Sequence, residues 1–267
     1  MNNPVLRGTF NMVLFQNQPE QFMETYSGLN FEPRELPPNH YFIVDAIEGG
    51  QLKIAATEGF GLKSGRISPY FFNSGLYVKG SELTKLAQRY ANKLVEVHGN
   101  RLEDCVLFGP PYKGIALANA TAIQLYDFHK IDVLVASNRK ESKLHGERGV
   151  LMGADMANKN VIIIDDVITD GTSKREAVQH IRSAGGHLMG GIIAFDRQEK
   201  GIGKDGEMLE LSGAQEFQRE YGCPMHSIAT FADLITVFET YPAEEGGLHA
   251  DIAWKLKIYR DKYGAKL

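Results

Sequence analysis

A run of four aliphatic residues, Val161 to Ile164, contains no polar residue. Such a run is typical of a strand covered on both faces, as in parallel sheets flanked by helices. Two carboxylates, Asp165 and Asp166, end the run, and a short Gly/Thr/Ser loop leads into a helical pattern over 173–184. The segment therefore predicts an α/β fold in which a buried strand, a loop and a helix follow one another.

Short apolar runs alternate with helical patterns along most of the chain. Strands are predicted at 104–109, 132–137, 160–166, 187–195 and 226–231, and helices at 81–98, 114–128, 173–184 and 248–263. Ser81 is the predicted N-cap of the first of these helices, and Gly99 ends it. Residues 41–56 favour one or two short helices, and 62–80 favour strands joined by tight turns. This order predicts a mainly parallel sheet flanked by helices.

The charge balance limits the function. Lys and Arg total 29 against 33 Asp and Glu, a net charge of −4, so a site for anions must be local and a nucleic-acid footprint over the whole surface is excluded. The two cysteines, Cys105 and Cys223, are far apart and lack the C-x-x-C spacing of zinc or redox sites. With no signal-peptide pattern and no run of 18 apolar residues, we expect a soluble cytoplasmic protein that does not bind membranes.

The loop after the Val161–Ile164 run is a candidate anion site. Ligands of open α/β sheets bind beyond the carboxyl ends of strands, where a helix N-terminus presents unpaired N–H groups. The residues that would surround a phosphate are Thr169, Gly171, Thr172 and Ser173, and Asp165 and Asp166 would accept hydrogen bonds from sugar hydroxyls. Alternatively, the acidic pair and the Thr/Ser residues are turn and cap residues of an ordinary strand–turn–helix.

Two further segments have the chemistry of anion sites. NRKESKLHGERG (138–149) carries four Lys or Arg against two Glu and almost no apolar residue, which predicts a flexible basic loop that closes over a polyanion. The alternative is a solvated surface loop. GPPYKG (109–114) lies between a strand and a helix, where backbone donors meet an anion, or it is a plain turn with Lys113 in solvent.

GIGKDG (201–206) fits the G-x-G-x-x-G pattern of dinucleotide sites. It follows a charged segment and does not open a helix after a strand, as that pattern requires. We therefore predict an exposed hairpin or flap there.

A buried strand that ends in Asp-Asp and continues as V-I-T-x-G-T resembles the phosphoribosyl diphosphate motif of type I phosphoribosyltransferases. Three more segments, LKSGRISPYFFNSGLY (62–77), VLFGPPYKG (106–114) and NRKESKLHGERG (138–149), resemble the orotate phosphoribosyltransferase branch of that family. The resemblance runs from about Leu62 to Asp233 in the family's order. It implies transfer of the phosphoribosyl group from phosphoribosyl diphosphate to orotate, giving orotidine 5′-monophosphate and pyrophosphate in pyrimidine biosynthesis.

The resemblance also implies an architecture. The expected fold is the type I phosphoribosyltransferase fold, with a small hood formed by N-terminal and flap segments. One catalytic domain would span 40–267, with an insertion at 200–215 and an N-terminal extension at 1–39 whose role is unknown. The family implies Mg²⁺ held mainly by the substrate diphosphate, and a homodimer in which the basic loop 138–149 reaches the partner subunit's site.

The residues of this chain that match the family's contacts fall into two groups. Phosphoribosyl diphosphate would contact Lys63, Tyr112, Lys113, Arg139, Lys140, Lys143, His145, Asp165, Asp166, Val167, Ile168, Thr169, Asp170, Gly171, Thr172 and Ser173. Orotate would contact Phe71, Phe72, Thr169 and Arg197. The catalytic roles would belong to Arg139, Lys143, Asp165 and Asp166. Taken singly, Phe71 and Phe72 also fit core residues, and Arg197 fits a surface charge.

Two residues of the chain depart from the family's pattern, and two other functions are alternatives to phosphoribosyl transfer to orotate. Pro111 and Asp170 stand where the family has small residues, and a carboxylate at 170 would oppose anion binding unless it points away. The first alternative is a regulator that senses phosphoribosyl diphosphate and binds nucleic acid, but residues 1–39 are acidic and broken by proline rather than basic and helical. The second is transfer to another base, such as a purine.

Overall fold

The computed structural model describes residues 36–143, 149–168, 171–203, 206–241 and 248–266. The helices are α1 (Pro38–Glu48), α2 (Gly80–His98), α3 (Lys113–Gln124), α4 (Thr172–Ser183), α5 (Gly213–Tyr221), α6 (Phe231–Thr240) and α7 (Leu248–Tyr263). The strands are β1 (Leu52–Ile54), β2 (Phe60–Gly61), β3 (Ile67–Ser68), β4 (Tyr70–Phe72), β5 (Val106–Gly109), β6 (Leu134–Lys143), β7 (Gly149–Gly153), β8 (Asn160–Asp165), β9 (His187–Asp196), β10 (Lys200–Ile202), β11 (Met208–Ser212) and β12 (Met225–Thr230).

The chain divides into two compact units. The smaller unit takes the residues up to Leu76 together with Ala232–Tyr263, and the larger takes Tyr77–Phe231 and the residues from Gly264 onward. Residues 1–35 are outside the described part, so the predicted division into 1–39 and 40–267 stays a prediction. Among the described residues, no helix combines the length and apolarity that crossing a membrane requires.

The larger unit is built on a six-stranded sheet in the order β12-β9-β8-β5-β6-β7. All neighbouring pairs are parallel except β6 with β7. Strand β8 is buried along Val161–Asp165, as its aliphatic run predicts. The mainly parallel sheet flanked by helices is therefore confirmed.

Helices α4 and α5 cover one part of this sheet through a continuous apolar core. Val161 and Ile163 of β8 contact a cluster that includes Val178, Ile181 and Phe217, all with exposed fractions of 3% or less. Burying each such side chain contributes about 1.5–3 kcal/mol. This core fixes how β8 and α4 pack against each other.

Several predicted boundaries were wrong. Helix α2 begins at Gly80 with Lys79, not Ser81, as N-cap, because Lys79 has extended backbone angles and its carbonyl accepts from Leu83 N–H at 2.9 Å. Helices α5 and α6 were not predicted, although Ser212 and Gln215 form a capping box at the start of α5. The predicted end of α2 at Gly99 is confirmed.

The basic segment 138–149 is not entirely a loop. Strand β6 extends to Lys143 and strand β7 begins at Gly149. Residues 144–148 between them lie outside the described residues. Antiparallel pairing with β7 supplies backbone partners that the sequence pattern does not reveal, as at Asn138 opposite Leu151. Asn138 has an exposed fraction of 5%, so the alternative of a solvated surface loop is wrong at the first residue of this segment.

The smaller unit joins the N-terminal elements to C-terminal helices. It holds the two-stranded pairs β1–β4 and β2–β3, and the rings of Tyr70 on β4 and Tyr259 on α7 meet edge to face at 6.3 Å. The predicted flap forms a hairpin, β10–β11, which belongs to the larger unit. In the smaller unit, α7 contributes the buried apolar residues Ile252 and Leu256.

Candidate functional site

Two of the predicted anion-binding segments come together at one edge of the sheet. Strands β5 and β8 are adjacent and parallel, with Phe108 opposite Ile163, so the segments that follow them leave the sheet side by side. Lys113, from the segment after β5, places its Nζ 2.9 Å from Oδ2 of Asp166, from the segment after β8. The motifs at 109–114 and 165–173 are thus parts of one site.

Asp165 and Asp166 have the same pattern of partners. Oδ1 of each carboxylate accepts the N–H of the following residue, at 3.0 Å for Asp166 N and 2.8 Å for Val167 N. Oδ2 of each accepts from a lysine, Lys174 for Asp165 and Lys113 for Asp166. Both residues are buried, with exposed fractions of 7% and 8%. This arrangement fixes both carboxylates as acceptors at the end of β8.

The backbone beneath the two carboxylates is also fixed. Tyr90, a fully buried residue of α2, donates its hydroxyl to the Asp165 carbonyl at 2.7 Å. The Asp166 carbonyl accepts from Ala194 N–H on β9 at 2.9 Å. Burial, followed by the negative charges of Asp166 and Asp165, raises the pKa of Tyr90 well above its usual value, so the phenol stays a donor. Tyr90 is a supporting residue that the sequence analysis does not identify, because a tyrosine on the apolar side of a helix is typical of a core residue.

Lys174 is a second residue that the sequence interpretation missed. Its exposed fraction is 3%, and its Nζ lies 2.5 Å from Oδ2 of Asp165. Burial raises the pKa of Asp165, while the charge of Lys174 acts in the opposite direction and the charge of Asp166 raises it again. One signal was available: a cation in the first turn of a helix is opposed by the helix dipole and needs a local partner.

The start of α4 has the backbone geometry of an anion site. Gly171 is the N-cap with φ +73°, a left-handed conformation that favours glycine. Val167 is half-buried, Ile168 is buried with an exposed fraction of 5%, and Ser173 is exposed. Thr169, Asp170 and the side chain of Thr172 lie outside the described residues. The described part therefore places the helix N-terminus and Ser173 at the end of β8, and the rest of the predicted phosphate loop stays a prediction.

The flap borders the start of α4. A cavity of about 330 Å³ is lined by Gly171 and Arg175 on one side and by Gly201, Ile202 and Leu209 of the β10–β11 hairpin on another. The β10–β11 hairpin thus forms a wall next to the start of α4.

The GPPYKG turn approaches β8 closely. A Cβ on Gly114 would lie 2.7 Å from the Ile164 carbonyl oxygen, and one on Gly109 would lie 2.2 Å from the Gly114 carbonyl oxygen. Both positions therefore require glycine. Tyr112 is the N-cap of α3, has an exposed fraction of 70% and follows a cis peptide bond with Pro111. Its side chain and that of Lys113, which is 48% exposed, are accessible to a ligand.

Arg197 lies at the end of β9, next to β8 on the same edge of the sheet. Its Nε and Nη2 donate to Oε1 of Glu199 at 3.0 and 2.6 Å, and both side chains are nearly buried, with exposed fractions of 11% and 9%. The alternative of a surface charge is therefore wrong for Arg197. Glu199 is a partner that the sequence interpretation did not identify.

The remaining predicted residues are less fully described. Lys63 is exposed, Phe71 is half-buried 5.7 Å from the Phe60 ring, and Phe72 has an exposed fraction of 7% and lies 5.9 Å from the Phe42 ring. These residues belong to the smaller unit. In the larger unit Arg139 is half-buried on β6, whereas the side chains of Lys140 and Lys143 and all of His145 lie outside the described residues.

The site offers few direct ligands for a metal ion. Within the part of the chain that the structure describes, no three His, Cys, Asp or Glu side chains form a group that would hold one. The two carboxylates at the end of β8 already accept hydrogen bonds from lysines. These residues fit a cation that takes most of its oxygen ligands from a bound substrate and few from the protein.

Comparison with known families and proteins gives consistent results. Residues 79–224 match the phosphoribosyl transferase domain family. The orotate phosphoribosyltransferase of Photobacterium profundum is 45% identical over 223 residues, covering 84% of this chain and 96% of that protein. The orotate phosphoribosyltransferase of Chromohalobacter salexigens is 45% identical over 237 residues, covering 86% of this chain and 97% of that protein.

Solved structures resemble the fold as well. The crystal structure of orotate phosphoribosyltransferase from Francisella tularensis superposes with a TM-score of 0.71 at 35% identity, covering 84% of this chain and all of that one. The UMP synthase of Leishmania donovani superposes with a TM-score of 0.61 at 18% identity, covering 85% of this chain and 43% of that one, a likeness of fold alone.

Proposed function

Because the chain belongs to the phosphoribosyl transferase family, and within it to the orotate phosphoribosyltransferases, we propose that the residues at the ends of β5, β8 and β9 carry out this transfer. The activity joins the phosphoribosyl group of phosphoribosyl diphosphate to orotate and releases pyrophosphate, a step of pyrimidine biosynthesis. The contact between Lys113 and Asp166 carries the proposal, since it unites a cation suited to the diphosphate with a carboxylate suited to the sugar.

Asp165 and Asp166 bind and stabilise the sugar. Departure of pyrophosphate leaves positive charge on the anomeric carbon, and fixed negative charge nearby lowers the energy of that transition state. Both carboxylates are held by backbone N–H groups and lysines, so they need no reorganisation during the reaction. A carboxylate oxygen accepts more than one hydrogen bond, so the ribose hydroxyls donate to these same carboxylates.

The 5′-phosphate of the donor occupies the N-terminus of α4. The predicted contacts are Val167, Ile168, Thr169, Asp170, Gly171, Thr172 and Ser173. Ile168 is buried in the core, so its contribution is a backbone N–H group. The left-handed Gly171 lets the backbone approach the phosphate closely, and the helix dipole favours its charge.

The diphosphate is held by cations from three segments. Lys113 and Tyr112 come from the turn after β5, Lys63 from the segment between β2 and β3, and Arg139, Lys140, Lys143 and His145 from the basic segment. Mg²⁺, held mainly by the substrate, would neutralise part of the charge of the leaving group. Arg139 and Lys143 stabilise the departing pyrophosphate, and closure of the basic segment excludes water from the reactive sugar.

Orotate lies against Phe71, Phe72 and Thr169, with its carboxylate on Arg197. An arginine suits this role because its guanidinium pairs with a carboxylate through two hydrogen bonds. The shared contact with Glu199 holds the guanidinium in place before orotate arrives. The ring nitrogen of orotate attacks the anomeric carbon, and no side chain becomes covalently bound.

We further propose a cytoplasmic homodimer in which segment 138–149 of one protomer serves the site of its partner. Support for this comes from the family resemblance of the segment. A dimer with two shared sites would make each protomer inactive by itself.

A direct assay tests the activity. The purified chain is mixed with orotate, phosphoribosyl diphosphate and Mg²⁺, and loss of orotate absorbance is compared with release of pyrophosphate; we expect equal amounts. The Asp165→Asn/Asp166→Asn variant, purified in the same way, controls for contaminating enzyme. Consumption of a purine such as adenine or hypoxanthine, with no consumption of orotate, would overturn the proposed substrate.

A further inference from the structure

Lys174 is a buried cation with three oxygen neighbours. It is the third residue of α4, and its side chain has an exposed fraction of 4%. Its Nζ lies 2.5 Å from Asp165 Oδ2, 2.5 Å from the Val167 carbonyl oxygen and 3.4 Å from Ser173 Oγ. An ammonium group has three N–H donors, so each donor has an oxygen within reach.

This position is costly for a lysine. Removing an ammonium group from water costs several kcal/mol even after relaxation, and a pair buried in this way often adds no net stability. The first turn of a helix also carries partial positive charge, which opposes a cation there. An apolar residue at this point would avoid both costs, and this favours a role for Lys174 other than stability.

The contacts of Lys174 connect the two ends of the phosphate loop. Asp165 is the last residue of β8, Val167 lies in the turn after it, and Ser173 lies in the first turn of α4. Residues between these points include the predicted phosphate contacts. One ammonium group therefore ties the strand end, the turn and the helix start together.

We propose that Lys174 is a positioning residue for phosphoribosyl diphosphate: by holding the Asp165 carboxylate and the Val167 carbonyl, it fixes the sugar-binding carboxylate relative to the backbone at Val167 and the start of α4. The inference rests on the proposed function of that site. Lys174 itself is almost inaccessible, so it acts on the substrate through Asp165 and the loop.

The role of Lys174 can be measured through the pKa of Asp165, which depends on the charges around its carboxylate. Lys174 on α4 faces the Asp165 carboxylate directly, Asp166 lies next to it and is paired with Lys113, and Tyr90 of α2 donates to the Asp165 carbonyl. Burial raises the pKa of Asp165, and Lys174 is the main group that opposes this rise. Without Lys174 the pKa of Asp165 rises further, so the carboxylate takes up a proton at a higher pH and loses its strength as an acceptor.

The test compares Lys174→Met, which removes the charge at similar length, with Lys174→Arg, which keeps it. Arg182→Gln removes an exposed cation from the same helix as a control. Affinity for phosphoribosyl diphosphate is measured by calorimetry from pH 5 to 8, because this readout does not depend on which base is used. Titration of the ligand itself is common to all variants and cancels in the ratio to the unsubstituted protein.

We expect Lys174→Met to lose more affinity at pH 5 than at pH 8, after division by the ratio of the unsubstituted protein, since a protonated carboxylate loses a charge-assisted hydrogen bond. Lys174→Arg is expected to restore most of the unsubstituted profile, and Arg182→Gln to leave it unchanged. If Lys174→Met does not fold, as judged by circular dichroism, Lys174→Gln carries the same test because its amide is also uncharged.

Failure of the proposed function and failure of the proposed role of Lys174 give different experimental results. Absence of orotate consumption by the unsubstituted protein would overturn the proposed function, whatever the binding profiles show. Binding profiles of the folded uncharged variants that coincide with that of the unsubstituted protein would overturn the role of Lys174, even with full orotate activity. A uniform loss of affinity at every pH would also overturn it, because a merely structural lysine gives that result.

Discussion

Lys113 Nζ lies 2.9 Å from Asp166 Oδ2, and this ion pair joins the segment after β5 to the segment after β8. The two side chains differ in exposure, at 48% for Lys113 and 12% for Asp166. The carboxylate is therefore fixed, whereas the ammonium is partly open to solvent. A lysine in this position is accessible to an incoming diphosphate while it keeps Asp166 oriented.

Lys113→Ala removes both functions of this lysine. We expect kcat/KM for phosphoribosyl diphosphate to fall about 10–100-fold, the range for loss of one hydrogen bond to a charged group. Lys113→Arg keeps the charge and is expected to retain more activity. Lys130→Ala, an exposed lysine beyond the other end of α3, serves as control. Steady-state kinetics with phosphoribosyl diphosphate varied gives the answer, and equal values for Lys113→Ala and Lys130→Ala would contradict the assignment.

The sequence predicts the ends of β5 and β8 well because those strands carry unbroken aliphatic runs. Such runs identify strands buried on both faces, and turn residues mark where each strand stops. Helix α6 was missed because it begins at Phe231, directly after β12 ends at Thr230, so no loop separates the strand from the helix. The extension of β6 to Lys143 was missed since pairing with β7, not local preference, produces it.

In the candidate site too, residues that follow a strand end were predicted, whereas their partners from elements distant in sequence were not. Asp165, Asp166 and Lys113 were predicted because each follows a strand whose end the sequence reveals. Tyr90 and Ala194 donate to the backbone carbonyls of Asp165 and Asp166 from elements far away in sequence. A single sequence has no signal for those contacts. Glu199 is two residues from Arg197, but identical spacing occurs in many exposed segments, and its pairing becomes evident from burial in the structure.

Because of His98, the last residue of α2, we expect the folded protein to lose stability in acid. Its exposed fraction is 6%, and within the described residues neither ring nitrogen has a hydrogen-bond partner. Burial, with smaller effects of Arg101 and His226, lowers the pKa of His98 from 6.5 to about 4. Between these values the unfolded chain binds a proton that the folded chain does not. Stability is therefore complete above pH 6.5 and is lost as the pH falls towards 4, by up to about 1.4 kcal/mol per pH unit.

His98→Leu removes this titration. We expect the difference in thermal midpoint between pH 7 and pH 4.5 to be smaller in His98→Leu than in the unsubstituted protein. His187→Gln, which replaces an exposed histidine, should behave as the unsubstituted protein does. The measurement is thermal unfolding by circular dichroism at matched ionic strength. Parallel pH curves for His98→Leu and the unsubstituted protein would show that His98 does not cause the acid sensitivity.

Arg197→Lys tests the orotate site. The variant keeps the charge but loses the planar pair of donors, so we expect KM for orotate to rise about tenfold or more while KM for phosphoribosyl diphosphate changes little. Glu199→Gln removes the negative partner of Arg197 and is expected to have a smaller effect in the same direction, because the guanidinium stays but is less firmly oriented. Kinetics with each substrate varied separately distinguishes the two. An unchanged KM for orotate in Arg197→Lys would place the orotate carboxylate elsewhere.

Mixing two inactive variants tests whether segment 138–149 serves the partner's site. Lys143→Ala damages the basic segment, and Asp166→Asn damages the sugar site, so each homodimer is expected to be nearly inactive. After exchange of subunits, half of the dimers are mixed, and a segment acting across the interface gives each mixed dimer one intact site. We then expect about a quarter of the unsubstituted activity, from half of the dimers with one of two sites intact. Exchange is verified with two affinity tags of different size, and mixed dimers without activity would show that the segment serves its own subunit.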